Sequence, residues 1–185
     1  MIAPPEGWSW PDGTGWAWRA DLRAGGAALW PGRRVAPGDR ITPALKVFHA
    51  GAPDAAALAP GVAGLALWGE VEAGAYLSVV ADLPAEGVAG LDARRVVTLA
   101  GRARLTDARP LHARINLRHG PNTAQQGRPA RLSEGRLLAE FDLAYASLSH
   151  APVAAAWIDL ILERPAGAAL ILTDLTVSHR PRAEP

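Results

Sequence analysis

Cysteine is absent from the 185-residue chain, and Lys46 is its only lysine. Without cysteine the chain can form no disulfide, thiolate nucleophile or cysteine-ligated metal site. No apolar stretch approaches the ~20 residues that a membrane-spanning helix needs, and residues 1–6 lack the basic and apolar parts of a secretory signal. We therefore expect no membrane insertion and a cytoplasmic location as synthesised, with a place in a released particle as the alternative.

An excess of charge of one sign is also missing, because 19 basic residues face 18 acidic ones. Counterion release from nucleic acid requires clustered positive charge, so this balance argues against nucleic acid as a partner. The five histidines show no i, i+2 or i, i+4 spacing, and no Gly-x-Ser-x-Gly motif occurs. We expect no metal site, no cofactor and no serine-hydrolase chemistry.

Hydrophobic residues make up 49% of the chain and occur in short alternating runs between turns rich in glycine and proline. Successive side chains of a strand point to opposite faces, so this pattern predicts short strands with one buried face. The predicted strands are Ala44 to His49, Gly64 to Glu70, Ala75 to Leu83, Arg94 to Leu105, Leu111 to His119, Arg136 to Tyr145, Ala155 to Glu163 and Ala169 to His179. Ala155 to Glu163 is apolar on both parities except for Asp159, which indicates either a central strand covered on both faces or a short helix, and its β-branched and aromatic content favours the strand.

Strands without helical periodicity predict an all-β fold, an antiparallel two-sheet β-sandwich of jelly-roll type like that of carbohydrate-binding modules. A flattened barrel and a Greek-key sandwich of another strand order are the alternatives. Residues 1–185 are expected to form one domain, with loops at residues 51–60 and 120–129. One helical turn is expected within residues 84–90, a close backbone approach at Gly101, and a fraying polar tail over residues 180–185.

Tryptophan is concentrated near the N-terminus, where residues 1–30 hold five of the seven: Trp8, Trp10, Trp16, Trp18 and Trp30. Asp12-Gly13 is a strong turn signal, so the spacing predicts a short Trp-rich hairpin in which Trp8 and Trp10 face Trp16 and Trp18. This segment is interpreted either as an aromatic platform that stacks on sugar rings or nucleobases, or as a cover for one end of the core. The second interpretation is favoured because clustered aromatics mostly pack.

The clearest strand, Leu111 to His119, alternates an apolar face with a polar face and then enters the turn-forming sequence that follows His119. Its planar donors and acceptors suit a ligand rich in hydroxyl groups, and the N-terminal tryptophans could add an apolar floor. Gln126 belongs to the same polar stretch. The candidate ligand-binding residues are Trp16, Trp18, Arg114, Asn116, Arg118, His119, Asn122 and Gln125.

Two carboxylates on the outward face of one predicted strand, Glu140 and Asp142, offer an alternative in which the protein is a glycoside hydrolase. Residues i and i+2 of a strand lie about 7 Å apart, within the range that paired catalytic acids occupy. Outward acids on strands more often pair with arginine, for which Arg114 or Arg118 would be available. A non-enzymatic protein is therefore the favoured interpretation.

Five segments keep a recognisable order and spacing: Thr14 to Arg19 (TGWAWR), Ile115 to Thr123 (INLRHGPNT), Glu140 to Tyr145 (EFDLAY), Ala156 to Glu163 (AWIDLILE) and Leu172 to Glu184 (LTDLTVSHRPRAE). In these segments the chain resembles an uncharacterised alphaproteobacterial family, domain of unknown function six-four-seven-eight. The family has no assigned activity, so the resemblance implies no catalytic residue. Longer members carry a charged helical segment ahead of the tryptophans, which this chain lacks.

We expect a non-enzymatic recognition or structural module that binds a glycan, such as a cell-surface or capsular polysaccharide, or a protein partner within a larger assembly. Because bacteria of the resembled kind carry phage-like gene transfer agents, the resemblance implies an alternative role as a structural subunit of such a particle. A head spike, a fibre base and a decoration protein are the forms considered. A homo-oligomer or assembly subunit is expected.

Overall fold

The computed structural model describes residues 1–23, 32–51, 53–58, 63–69, 76–107, 109–148, 151–163 and 169–183. Trp30 of the predicted Trp-rich segment lies outside the described residues, as do residues 184 and 185 of the predicted tail. Within the described ranges, no helix is long and apolar enough to cross a membrane.

Short strands account for most of the described residues. In chain order they are β1 (Trp16–Arg19), β2 (Arg33–Arg34), β3 (Leu45–His49), β4 (Asp54–Ala57), β5 (Leu65–Trp68), β6 (Tyr76–Asp82), β7 (Arg95–Leu105), β8 (Leu111–His119), β9 (Asn122–Pro129), β10 (Arg131–Ser133), β11 (Arg136–Asp142), β12 (Val153–Glu163) and β13 (Leu170–Pro181). The predicted helical turn is present as α1 (Ala85–Val88), and a 3-10 turn over Leu143–Tyr145 follows β11.

The strands form two antiparallel sheets. One sheet of eight strands runs β10-β11-β7-β13-β5-β4-β2, and β1 pairs with β13 on the edge that β5 also uses. The other sheet has five strands in the order β3-β6-β12-β8-β9. The predicted antiparallel two-sheet β-sandwich of jelly-roll type is therefore confirmed.

The core lies between the two sheets and follows the alternation of the sequence. On β8 the side chains of Ala113, Ile115 and Leu117 are fully buried, and Leu137 and Phe141 of β11 enclose the core from the opposite sheet. Burial of such side chains is the main favourable term in folding. The alternate side chains of each strand therefore point to the outer faces of the sandwich.

The predicted close approach at Gly101 is confirmed on β7. A Cβ placed there would lie 2.3 Å from the carbonyl oxygen of Asp174 on β13. The register of these two strands shifts between Leu172 and Asp174, so a β-bulge brings the two backbones together at this point. Only glycine fits, which explains the run of small residues within an otherwise apolar strand.

Two predicted loops contain strands. Residues 122–129, predicted as loop, form β9, and only a tight turn at Gly120-Pro121 separates it from β8. This edge strand is polar on both faces apart from Ala124, so its sequence carries no alternation. Residues 54–57 form β4, which is held by pairing with β5 although its run of alanines gives no period.

The predicted N-terminal hairpin does not form. The turn is present, because the Thr14 N–H donates to the Pro11 carbonyl over 3.1 Å. Trp8 and Trp10 nevertheless lie outside any strand, and β1 pairs with β13 instead, placing Trp16 opposite His179. The long strand β13 offers a free edge beside the core, and pairing there buries more apolar surface than an isolated hairpin could.

The tail also departs from the prediction, because β13 continues through residue 181. The Arg182 N–H then donates to the Arg94 carbonyl over 2.7 Å, and its guanidinium donates to the Asp142 carboxylate over 2.9 Å. These contacts hold residues 180–182 in place, where the sequence predicts fraying.

Candidate functional site

The outer face of the five-stranded sheet forms a cleft of about 540 Å³. All five strands contribute to it, because the outward parity of each strand points into the same concavity. The lining residues are Phe48, Tyr76, Ser78, Val80, Arg114, Asn116, Gln125, Trp157, Asp159 and Ile161. A concave site with aromatic side chains and a few convergent polar groups is the usual form of a small-ligand or saccharide site.

Strand register sets the lining residues in rows across the sheet. In one row Trp157 on β12 lies opposite Asn116 on β8, which in turn lies opposite Gln125 on β9. In the next row Asp159 lies opposite Arg114. Directly opposite residues of antiparallel strands point to the same face, so an indole, two amides and a guanidinium converge.

A hydrogen-bond network fixes the polar groups on the cleft floor. The Asp159 carboxylate, only 4% exposed, accepts at Oδ2 from Arg114 Nε over 2.8 Å and from Asn116 Nδ2 over 2.9 Å. Arg114 Nη2 lies 2.8 Å from the same oxygen, and Gln125 Nε2 donates to Asn116 Oδ1 over 3.0 Å. A satisfied buried network of this kind holds its side chains in one arrangement.

Aromatic side chains stand around this floor. Phe48 and Tyr76 are 40% and 43% exposed, a large fraction for such residues, and the half-buried Trp157 lies at the other end of the cleft in the row of the amides. Buried aromatics would stabilise the core, whereas exposed ones in a cleft offer apolar surface to a ligand. The cleft therefore combines flat apolar faces with fixed hydrogen-bonding groups.

Most charged groups around the cleft have a partner of opposite sign. Arg114 pairs with Asp159 on the floor, and Lys46 and Arg40 both pair with Asp82 at the β3 side. On the far side of the cleft, His112 Nε2 lies 3.9 Å from Glu163 Oε1. The cleft thus carries little net charge.

The structure brings together three of the residues predicted from sequence, namely Arg114, Asn116 and Gln125. Arg118 shares their face but lies beyond the lining, exposed and opposite Ala155 and Thr123.

His119 and Asn122 belong to the other parity, and His119 is buried, so neither side chain enters the cleft. Gln126 also points inward and donates to the Asp142 carbonyl over 3.2 Å. The turn that joins β8 and β9 is therefore not part of the cleft.

Trp16 and Trp18 lie on the other sheet, away from the cleft. Both pack against the core, and the Trp16 indole stacks on His179 with ring centroids 5.2 Å apart. A Cβ added at Gly87 would lie 2.3 Å from the Trp16 ring, which shows how closely α1 covers this indole. This placement agrees with the packing interpretation of these tryptophans.

The carboxylates of the hydrolase alternative also lie on the eight-stranded sheet. Glu140 accepts from the Thr98 hydroxyl over 3.3 Å and pairs with Arg180. Burial raises the pKa of Asp142, but hydrogen bonds from Arg182 and the Ala144 N–H outweigh it and hold that pKa below its ordinary value. The arginine partners predicted for these acids, Arg114 and Arg118, lie elsewhere, and Arg180 and Arg182 take their place.

Sequence reasoning missed Phe48, Tyr76, Trp157 and Asp159. The signal for Asp159 was present, because it is the only charged residue inside the apolar run from Ala155 to Leu162. A lone acid in a strand that is otherwise apolar requires a buried partner. The pairing of β12 between β6 and β8, which brings Arg114 to it, was not deducible from the sequence.

The model of a family of unknown function (DUF6478) matches residues 5–185. The chain belongs to this family. The resemblance noted in the sequence is thus confirmed, and DUF6478 assigns no activity. No curated protein matches the sequence.

Solved structures similar to this DUF6478 chain include a cyclase from Fischerella sp. TAU, with a TM-score of 0.48 and 10% identity over 91% of this chain and 100% of that one. The CBM22-1 xylan-binding domain of Paenibacillus barcinonensis Xyn10C gives a TM-score of 0.44 and 16% identity over 82% and 87%. Tailspike protein 4 of bacteriophage CBA120 gives 0.46 and 11%, with 72% of this chain but only 19% of that chain covered. At these values the likeness carries no information on ligand or activity.

Proposed function

We propose that this protein is a non-enzymatic glycan-binding module and that the cleft of the five-stranded sheet is its binding site. The observation that carries the proposal is the row in which Trp157, Asn116 and Gln125 lie side by side on one concave face. An indole stacks on the apolar face of a sugar ring, and the exposed Gln125 amide in the same row can exchange hydrogen bonds with ring hydroxyls. Asn116 is only 1% exposed, so its part is to hold Gln125 in place.

Rigidity of the polar groups supports binding. Asn116 is held by Asp159 on one side and by Gln125 on the other. Because these side chains are already ordered, a ligand pays little of the rotamer entropy that binding ordinarily costs. The exposed rings of Phe48 and Tyr76 extend the apolar surface toward the other end of the cleft.

Carboxyl chemistry in the cleft favours binding over hydrolysis. Glycoside hydrolysis uses two carboxyl groups on either side of the scissile bond. Among the described lining residues, Asp159 is the one carboxylate, and it is buried beneath Arg114 with its Oδ2 accepting several hydrogen bonds. Glu140 and Asp142 are engaged by Arg180 and Arg182 on the other sheet.

Affinity electrophoresis tests the proposal. The purified protein is run in native gels that contain mixed-linkage β-glucan, xylan, galactan, mannan, alginate or polygalacturonate, and retardation in at least one gel is expected. Trp157→Ala should abolish that retardation. Trp68→Ala is the matched control, because Trp68 is an exposed tryptophan on the eight-stranded sheet. Equal retardation of wild type and Trp157→Ala would contradict the proposed site.

Other predictions from the sequence stay predictions. They include recognition of a protein partner, a homo-oligomeric state, and a role as a spike, fibre-base or decoration subunit of a phage-like particle. The homo-oligomer and the particle subunit predict a fixed assembly, which light scattering of the purified protein would detect as a mass above that of one 19.4 kDa chain. A protein partner would be detected by pull-down. A strict monomer would count against the particle role.

A further inference from the structure

Resting on the proposed function, we infer that the cleft takes the interior of an uncharged, linear polysaccharide that crosses the strands and leaves the protein over β9 at Gly127. The inference starts from the row that contains Asp159. Following the register across the sheet, that row reads Lys46, Val80, Asp159, Arg114 and Gly127. It runs perpendicular to the strands from one edge of the sheet to the other.

The centre of this row is its lowest part and forms the floor of a trough. Val80 and Asp159 are buried there, and Arg114, whose side chain is 43% exposed, lies along the floor with its guanidinium on the Asp159 carboxylate. The flanking rows stand higher, with Trp157 and Gln125 on one side and Phe48 on the other. A chain-like ligand is guided along a trough, whereas a single sugar requires a closed pocket.

The β9 end of the trough is open. Gly127 lies beyond the lining residues of the cleft, opposite Arg114 on the same face of the sheet, and a Cβ placed there would have no atom within 4 Å. Glycine is unfavourable within a strand, and here its backbone φ lies outside the positive range that only glycine tolerates. The backbone conformation at residue 127 therefore does not require glycine. What the missing side chain provides is open space where the trough meets the edge of the sheet.

The dimensions fit a polymer. Five strands spaced about 4.8 Å apart give the trough a length of about 19 Å. A polysaccharide that fills this length and continues past Gly127 binds through sugar residues in the interior of its chain. Binding then requires no chain end.

Charge indicates the ligand class. Arg114 is paired with Asp159, and Lys46 at the β3 end of the row shares Asp82 with Arg40. A carboxylated sugar above Arg114 would meet the Asp159 carboxylate below it, so the floor of the trough does not attract an anion. Arg118 has no ion pair among the described residues, but its row, with Ala155 and Thr123, lies two rows away from the trough.

The experiment compares Gly127→Gln with wild type in the same gels. Thr123→Gln is the matched control, since Thr123 is exposed on the same face of β9 but lies opposite Arg118, away from the trough. We expect retardation of wild type and Thr123→Gln by at least one uncharged polysaccharide. Gly127→Gln should bind it about tenfold more weakly or worse, because its side chain occupies the exit.

Length dependence gives a second readout that needs no variant. Oligosaccharides prepared from the retarding polymer are titrated calorimetrically, and a hexasaccharide should bind at least about tenfold more tightly than the disaccharide. Equal affinity of the two lengths, or unchanged binding by folded Gly127→Gln, would overturn the trough. Retardation of wild type by alginate or polygalacturonate alone would overturn the uncharged ligand while leaving glycan binding intact. No retardation in any gel would overturn the proposed function itself.

Discussion

The outer faces of the two sheets have similar polar sequences but different surroundings. On the eight-stranded sheet the N-terminal segment, residues 1–10, lies across the outer face: Arg102 donates to the Glu6 carbonyl over 3.2 Å, and Arg136 lies over the Trp8 ring. Arg19 donates to the carbonyls of Ala3 and Pro4 in the same way. On the five-stranded sheet no described segment plays this part, and the cleft stays open.

The comparison teaches that residue type does not distinguish a binding face from a packing face. Trp16 and Trp157 both lie half-buried on strands. Trp16 sits at an edge of the core between His179 and α1, whereas Trp157 is surrounded by polar groups that are fixed in place. What each indole packs against decides whether it stabilises the fold or can meet a ligand.

The largest expected effect is on the packing side of this comparison. Trp16→Ala should lower the free energy of unfolding by about 2 to 3 kcal/mol, because it removes contacts with the core and with α1. Glycan affinity should not change. Chemical denaturation measures the first quantity and affinity electrophoresis the second. If Trp16→Ala kept the stability of wild type but lost glycan binding, Trp16 rather than Trp157 would be the ligand-binding tryptophan.

Trp157→Ala should show the reverse pattern. Loss of one stacking contact is worth about 1 to 3 kcal/mol, so affinity should fall by about 5-fold to 150-fold. The loss of stability should be smaller than that of Trp16→Ala. Calorimetric titration with the polysaccharide that retards wild type gives the affinity, and a loss of stability equal to that of Trp16→Ala would erase the distinction.

A smaller effect is expected from the amide row. Asn116→Ala removes the hydrogen bonds to Asp159 and Gln125 and should weaken glycan binding by about 1 kcal/mol, or about fivefold. Asn122→Ala, in the turn outside the cleft, is the control and should bind as wild type does. Were Asn122→Ala the weaker binder, the site would include the turn after β8.

The smallest effect concerns pH. Burial, with the nearby charge of Arg95 adding to it, lowers the pKa of His179. In the unfolded chain the pKa of this histidine is about 6.5. As the pH falls below that value, the unfolded chain therefore binds more protons than the folded chain. Stability should decline from pH 6.5 downward, and His179→Phe, which keeps the stacking on Trp16, should flatten that decline. Thermal melts between pH 7.5 and 5.5 measure it, and identical slopes would contradict the assignment.

The sequence was sufficient for the fold because some core strands, such as β8 and β11, alternate cleanly and the others are short apolar runs between turn signals. It was insufficient for β9 and β4, whose residues lack alternation and are held by their neighbours. Two of the ten lining residues, Arg114 and Asn116, followed from the alternation of β8. The remainder depends on which strands pair, and long-range pairing brings Trp157 and Asp159 beside β8 without any local signal.

Nuclear magnetic resonance of the indole N–H groups tests the central claim most directly. The protein is labelled with ¹⁵N and titrated with oligosaccharides from the polysaccharide that retards it, and variants Trp157→Phe, Trp16→Phe and Trp18→Phe assign the relevant signals. The account predicts a saturable shift of the Trp157 signal while the Trp16 and Trp18 signals stay in place. A saturable shift of Trp16 or Trp18 with Trp157 unmoved would contradict it.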